Sequence, residues 1–297
     1  MEKGDYVSAK KKLGRVLELD EEHAEAQRLL QECKEFIEQQ RDKKINKMKI
    51  DIFLLIFLSL YCSINSEAPS GYNLVWSDEF EGSSLDTSKW DYNIGAEPYW
   101  GNNELEFYTK RQENVYVESG LLHIRAQKES YGGKDYTSGR IHTKGKVHFK
   151  YGFIEARISL PRGMGIWPAF WMLAANDQSD EIDIIEAVNT ENIVYSTCHW
   201  FPNGEYQHKS GQSEKFDITQ FHTYTMLWTD SVLQFAIDGK EHLTLNIKDG
   251  VDNTNAFHGN FYFLLNVAVG GNWPGFNIDN SQFPTEMKVD YIRVYKN

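Results

Sequence analysis

The run Glu181-Ile182-Asp183-Ile184-Ile185-Glu186 places three carboxylates in six residues and fills the gaps with β-branched isoleucine. Isoleucine at that density reads as a strand. Side chains alternate along a strand, so Glu181 and Asp183 share one face while Ile182 and Ile184 share the other. Strict alternation would then send Glu186 to the apolar side, where an unpaired carboxylate is costly. One extra residue at Ile184-Ile185, a β-bulge, returns Glu186 to the side of the other acids, and bulges commonly re-aim side chains next to active sites. The stretch therefore calls for a sheet with one apolar face and one polar, working face.

The spacing carries chemistry as well. With the bulge, Glu181 and Glu186 stand roughly 13 Å apart at Cα, four steps of ~3.3 Å. Two extended glutamate side chains leaning together close that to about 5 Å, the separation expected of the two carboxyl groups of a retaining glycosidase. Like charges at that distance disfavour double ionisation, which leaves one group protonated as an acid and the other free to attack.

The remainder of the chain supports an all-β reading. From residue 72 onward, short aromatic and β-branched runs alternate with Gly, Asn and Asp turns. Examples are 72–76, 115–117, 121–126, 152–160, 224–228, 233–237, 261–269 and 288–295. Asp238-Gly239 is a hairpin turn between 233–237 and 242–245. Many short strands at near-regular spacing predict a jelly-roll β-sandwich of about 230 residues with a substrate cleft on its concave face. The net charge of −12 argues against nucleic acid, whose binding depends on neutralising phosphates.

Further segments join the acidic strand: 76–80 (Trp-Ser-Asp-Glu-Phe), 100–109 (Trp-Gly-Asn-Asn-Glu-Leu-Glu-Phe-Tyr-Thr), 137–140, 151–157 and 166–173 before it, then 199–200, 265–274 and 290–295 after it. In this order, and over roughly residues 72–295, they resemble glycoside hydrolase family 16. The bulged Glu-Ile-Asp-Ile-Ile-Glu form is similar to that of laminarinase-like endo-β-1,3-glucanases. The resemblance implies a retaining double displacement with Glu181 as nucleophile, Glu186 as acid/base, and Asp183 hydrogen-bonded to Glu181. It implies that Asn103, Arg140 and Asn266 hold sugar hydroxyls and that His199 orients the acids or the substrate. Trp167 and Trp273, flanked by Pro and Gly, suit aromatic platforms in a cleft, as does Trp100; Trp171 is balanced between cleft and core. No cofactor is required for this chemistry. Family members often carry a structural calcium, and Glu79, the carbonyl of Gly120 and Asp290 are the matching positions here. Alternatives are an enzyme of the same fold acting on mixed-linkage β-1,3-1,4-glucan or a galactan, and a non-catalytic β-glucan recognition protein.

The first 66 residues differ in kind. Residues 1–47 carry two apolar helical faces and resemble the end of a tetratricopeptide repeat array, a short helical hairpin preceding the sandwich. They are expected to be an upstream fusion or the product of a misdrawn gene boundary. Residues 48–66 follow a basic flank (Lys44, Lys47, Lys49) with an eleven-residue apolar run, 52–62. That is short of the ~20 residues of a membrane span and suits a signal peptide, or a signal-anchor. The expectation is translation from Met48, secretion, and residues 67–297 as a monomeric catalytic domain that meets a membrane only through its signal segment. Of the three cysteines, this domain keeps Cys198 alone, expected to be a buried hydrophobe.

Overall fold

The structure is a computed structural model, and it describes residues 68–176 and 178–297. The chain divides into two units, 1–67 and 68–297. The helical hairpin and signal expected in 1–66 lie outside the described residues.

Seventeen strands occur among the described residues. In chain order they are β1 (Asn73–Asp78), β2 (Asp91–Tyr92), β3 (Glu106–Tyr108), β4 (Val115–Glu118), β5 (Leu121–Tyr131) and β6 (Lys134–Ser138). Next come β7 (Arg140–His142), β8 (Gly152–Ser159), β9 (Ile166–Ala174), β10 (Glu181–Glu186), β11 (Tyr195–Trp200) and β12 (Gln207–Gln212). The last are β13 (His222–Trp228), β14 (Val232–Ile237), β15 (Lys240–Asn246), β16 (Phe261–Val269) and β17 (Thr285–Lys296). They form a jelly-roll sandwich of two sheets. One has ten strands along the path β15-β14-β13-β8-β17-β5-β6-β3, with β1 on β17 and β4 on β5; the other runs β12-β11-β10-β9-β16-β7-β2.

The expected strands are present, most within a residue or two of their apolar runs; β5 and β17 run several residues longer. The Asp238-Gly239 turn joins β14 to β15 with both residues at positive φ, +48° and +77°, the conformation that Asp-Gly accepts most readily. Between the sheets lies one apolar core. On β9, Ile166, Phe170 and Met172 point into it, while Trp167 and Trp171 point to the opposite face. On β16, Phe261, Phe263, Leu265, Val267 and Val269 point inward, alternating with Asn266 on the outer side. Cys198 is fully buried and unpaired, as its sequence context suggested.

Candidate active site

The acidic stretch forms β10, and the bulge is present. Against β9, Asp183 pairs with Trp171, but the next partners are Ile185 with Phe170, so Ile184 has no opposite number. Against β11 the register likewise slips between Asp183 and Glu186. Ile182, Ile184 and Ile185 all enter the core. Two consecutive residues thus face inward, and Glu186 emerges on the side of Glu181 and Asp183. The slip takes the Ile184 carbonyl out of the regular ladder; Ser196 Oγ of β11 donates to it at 2.6 Å. Ser196 Oγ also meets His242 Nε2 of β15 at 2.8 Å, a polar link from the opposite sheet to the bulge.

Electrostatics on this face follow from crowding. Burial, then the Asp183 charge and its hydrogen bond, push the Glu181 carboxyl well above the usual range. Asp183, 2% exposed, is raised by burial and by Glu186. Glu186 is raised to about 8 by burial and by Glu181, against a smaller lowering from its bond with Trp167. That bond runs from Trp167 Nε1 to Glu186 Oε1 at 2.8 Å. The three acids therefore retain at least one proton at neutral pH. His199, opposite Glu181 on β11, brings Nε2 to 3.0 Å from Asp183 Oδ2. Its Nδ1 meets the Tyr206 hydroxyl at 2.7 Å. Burial lowers the pKa of this imidazole, with Glu181 opposing.

The other predicted residues gather around the acids. Arg140 (β7) lies between two indoles, its guanidinium 4.6 Å from the Trp100 ring and 4.9 Å from the Trp171 ring, and donates to Asn93 Oδ1. Trp171 faces the cleft side, where its Nε1 donates to Asn266 Oδ1 at 2.8 Å. Asn266 Nδ2 in turn donates to the Tyr108 hydroxyl. Trp273 is 42% exposed and meets Trp167 edge-on at 5.5 Å. Asn103, at φ +57°, donates to Asn272 Oδ1 and so ties the 100–104 loop to the 270–275 loop. At the start of the latter, Gly271 has φ +124° and backs onto Trp167, where a Cβ would stand 3.6 Å from the indole. Sequence reasoning missed the layer beneath. Tyr108 donates to Glu104, and Glu106, fully buried, accepts from the Val269 amide while burial and Glu104 raise its pKa. Both acids sit in the 100–109 segment, but nothing in the pattern distinguishes a supporting carboxylate from one that touches substrate. Ser196, Tyr206 and His242 carried no sequence signal.

Two groups of residues could be considered for a cation by their chemistry, one on β10–β11 and one on the other sheet. Glu181, Asp183 and His199 bring ligand atoms within 4.8 Å of one another, so they could hold an ion; the same atoms are the ones a glycosidase uses without metal. Two of the expected calcium positions carry ion pairs. Both oxygens of Glu79 accept from Arg293, and Asp290 is bonded by Arg157, so each carboxylate is already matched by a guanidinium. A calcium ion held by Glu79, the Gly120 carbonyl and Asp290 would have to share these two carboxylates with the guanidinium groups.

The sequence pattern of Glycosyl hydrolases family 16 matches residues 102–293, and the chain belongs to this family. Over 234 residues it is 40% identical to the clotting factor G alpha subunit of Tachypleus tridentatus, covering 76% of this chain and 34% of that protein. Over 265 residues it is 38% identical to the glucan endo-1,3-beta-glucosidase A1 of Niallia circulans, covering 77% and 38% respectively. It thus spans little more than a third of those two relatives. Among solved structures, the laminarinase from Rhodothermus marinus superposes with a TM-score of 0.70 at 36% identity, covering 76% of this chain and 97% of that one.

Proposed function

We propose that the domain is an endo-acting hydrolase of β-1,3-glucan that works by double displacement with retention. The observation that carries this is the bulge in β10, which returns Glu186 to the face of Glu181 and beside Trp167. The names of the relatives from Niallia circulans and Rhodothermus marinus support the substrate.

In the first step a Glu181 oxygen forms a bond to the anomeric carbon as the glycosidic C–O bond breaks. Glu186, held protonated near neutrality by its raised pKa, passes its proton to the departing oxygen. In the second step Glu186 takes a proton from water, the water oxygen bonds to the anomeric carbon, and Glu181 leaves as carboxylate. Asp183 holds a hydrogen bond with Glu181 and raises its pKa, and His199 packs against Asp183 from β11. Arg140, Trp171 and Asn266 form a rigid, mutually bonded wall for sugar hydroxyls; Trp167, Trp273 and Trp100 offer ring faces.

Reducing-sugar release from laminarin, lichenan, xyloglucan and agarose by residues 67–297 tests this, with Glu181→Gln as the blank. Fast release from laminarin, lost in the variant, is the expected result. One relative is named for clotting and not for hydrolysis, which leaves one second reading, β-glucan recognition without turnover; binding of laminarin with no release from any substrate would establish it. Secretion through 48–66, a start at Met48 and a monomeric state are further proposals. N-terminal sequencing and light scattering of the exported protein test them, and an intact Met1 on a membrane-bound product would refute the first two.

A further inference from the structure

The hydrogen bonds beneath the sugar-facing wall all run in one direction. An indole N–H can only donate, so Trp171 Nε1, 2.8 Å from Asn266 Oδ1, fixes which way round the Asn266 amide sits. Asn266 Nδ2 then faces the Tyr108 hydroxyl at 3.2 Å and donates to it. With its oxygen receiving that proton, Tyr108 turns its own O–H to Glu104 Oε2 at 2.9 Å. Asn102 Nδ2 donates to the other oxygen, Glu104 Oε1, at 3.4 Å. The series that starts at Trp171 ends on Glu104.

Glu104 and Glu106 are both buried, and they are hydrogen-bonded to each other. Two carboxyl groups share such a bond only when one of them is protonated. The surrounding donors say which. Glu104 receives Tyr108 and Asn102. Glu106 accepts from the Val269 amide through Oε2 at 2.7 Å, while its Oε1 meets no donor among the described residues. An oxygen that meets no donor and lies against a carboxylate is where a proton belongs. Burial and the neighbouring Glu104 raise the Glu106 pKa to the same effect. Glu106 is thus the acid, donating from Oε1, and Glu104 is the carboxylate on which three donors converge.

We propose that Glu104 is the positioning residue of the sugar wall: its carboxylate ends the donor series and so holds Tyr108, Asn266 and Trp171 in the orientation that meets the glucan. This rests on the β-glucan reading of the site. The fixed Asn266 amide keeps its second N–H and its second oxygen lone pair for sugar hydroxyls. Glu104→Gln cannot reproduce the arrangement. If the new amide oxygen faces Tyr108, its NH2 meets the Glu106 O–H, donor against donor, unless Glu106 ionises in the core. If the amide is turned about, its NH2 meets the Tyr108 hydroxyl, whose own proton then has no acceptor. Glu106→Gln, by contrast, keeps a donor toward Glu104 and an acceptor toward the Val269 amide.

The test is calorimetric binding of laminarihexaose to the Glu181→Gln protein, with and without each further substitution, folding being checked by thermal melting. Glu104→Gln and Tyr108→Phe should each weaken binding roughly tenfold, the scale of one hydrogen bond to a charged group. In the active protein each should raise KM for laminarin by a similar factor and change kcat less than about threefold. Glu106→Gln should stay within about threefold of its parent. Both damaging substitutions break one series, so Glu104→Gln with Tyr108→Phe should bind no more weakly than the worse single variant. Additive losses overturn the proposal. So does unchanged hexaose affinity in Tyr108→Phe, or a Glu106→Gln loss as large as that of Glu104→Gln. Should Glu104→Gln fail to fold, Tyr108→Phe and Glu106→Gln decide the matter. If the wild-type protein leaves laminarin uncut yet binds the hexaose, the proposed hydrolysis fails, and the same affinities still judge Glu104. A Glu181→Gln parent that does not bind the hexaose overturns both.

Discussion

At the scale of single residues, catalysis depends on how β10 distributes charge. Glu186 rises from an ordinary 4.5 to about 8, mainly by burial and then by Glu181, so loss of its proton should form the alkaline limb of the pH–rate profile. Trp167→Phe removes a bond that lowers this pKa, and should move that limb upward. Stability follows the same group by linkage. A carboxyl whose folded pKa is raised favours the fold below its unfolded value, near 4.5, and that contribution is lost as pH rises through about 8. Glu186→Gln should therefore melt higher than wild type at pH 9 and show less advantage at pH 5. Turnover should fall by orders of magnitude in both Glu181→Gln and Glu186→Gln.

At the scale of elements, the bulge is the decisive feature. Its carbonyl at Ile184 has Ser196 as partner, and Ser196 has His242. Ser196→Ala leaves that carbonyl buried without its hydroxyl donor, which costs about 1–3 kcal/mol. The expected result is a lower melting temperature and a lower kcat with a smaller change in KM; Ser196→Thr should restore part of both. Beneath the same strand, Phe170 is fully buried opposite Ile185, and Phe170→Ala should cost about 3–5 kcal/mol. Chemical denaturation would read both. The bulge was legible in the sequence because Glu186 and two adjacent isoleucines cannot all satisfy a period of two. The clamp was not, because Ser196 and Ile184 are brought together by pairing of β10 with β11, and His242 arrives from the other sheet. Tyr206 was hidden for a related reason: an aromatic in a loop acquires meaning only when the β11–β12 turn sets it beside His199.

At the scale of the whole molecule, strand texture foretold the sandwich, since short runs with Gly, Asn and Asp turns leave few other ways to bury so many aromatics. The sheet order was not readable, because it depends on long-range pairings such as β8 with β17 that no local pattern encodes. Of the calcium positions taken from the family resemblance, Glu79 and Asp290 carry guanidinium partners, Arg293 and Arg157, that arrive from other strands and that no local pattern announces. One prediction belongs here: residues 68–297 form a compact unit with their own core, so this piece made alone should unfold cooperatively and retain full activity. Loss of its thermal transition on removal of 1–67 would contradict it.

The most direct test of the central claim is to trap the covalent intermediate. A 2-deoxy-2-fluoro laminaribiosyl donor with an activated leaving group slows the second step, and peptide mass mapping then locates the sugar. The expected result is a label on Glu181, abolished in Glu181→Gln. A label on Asp183 or Glu186 in the wild-type protein would contradict the assignment of roles on β10.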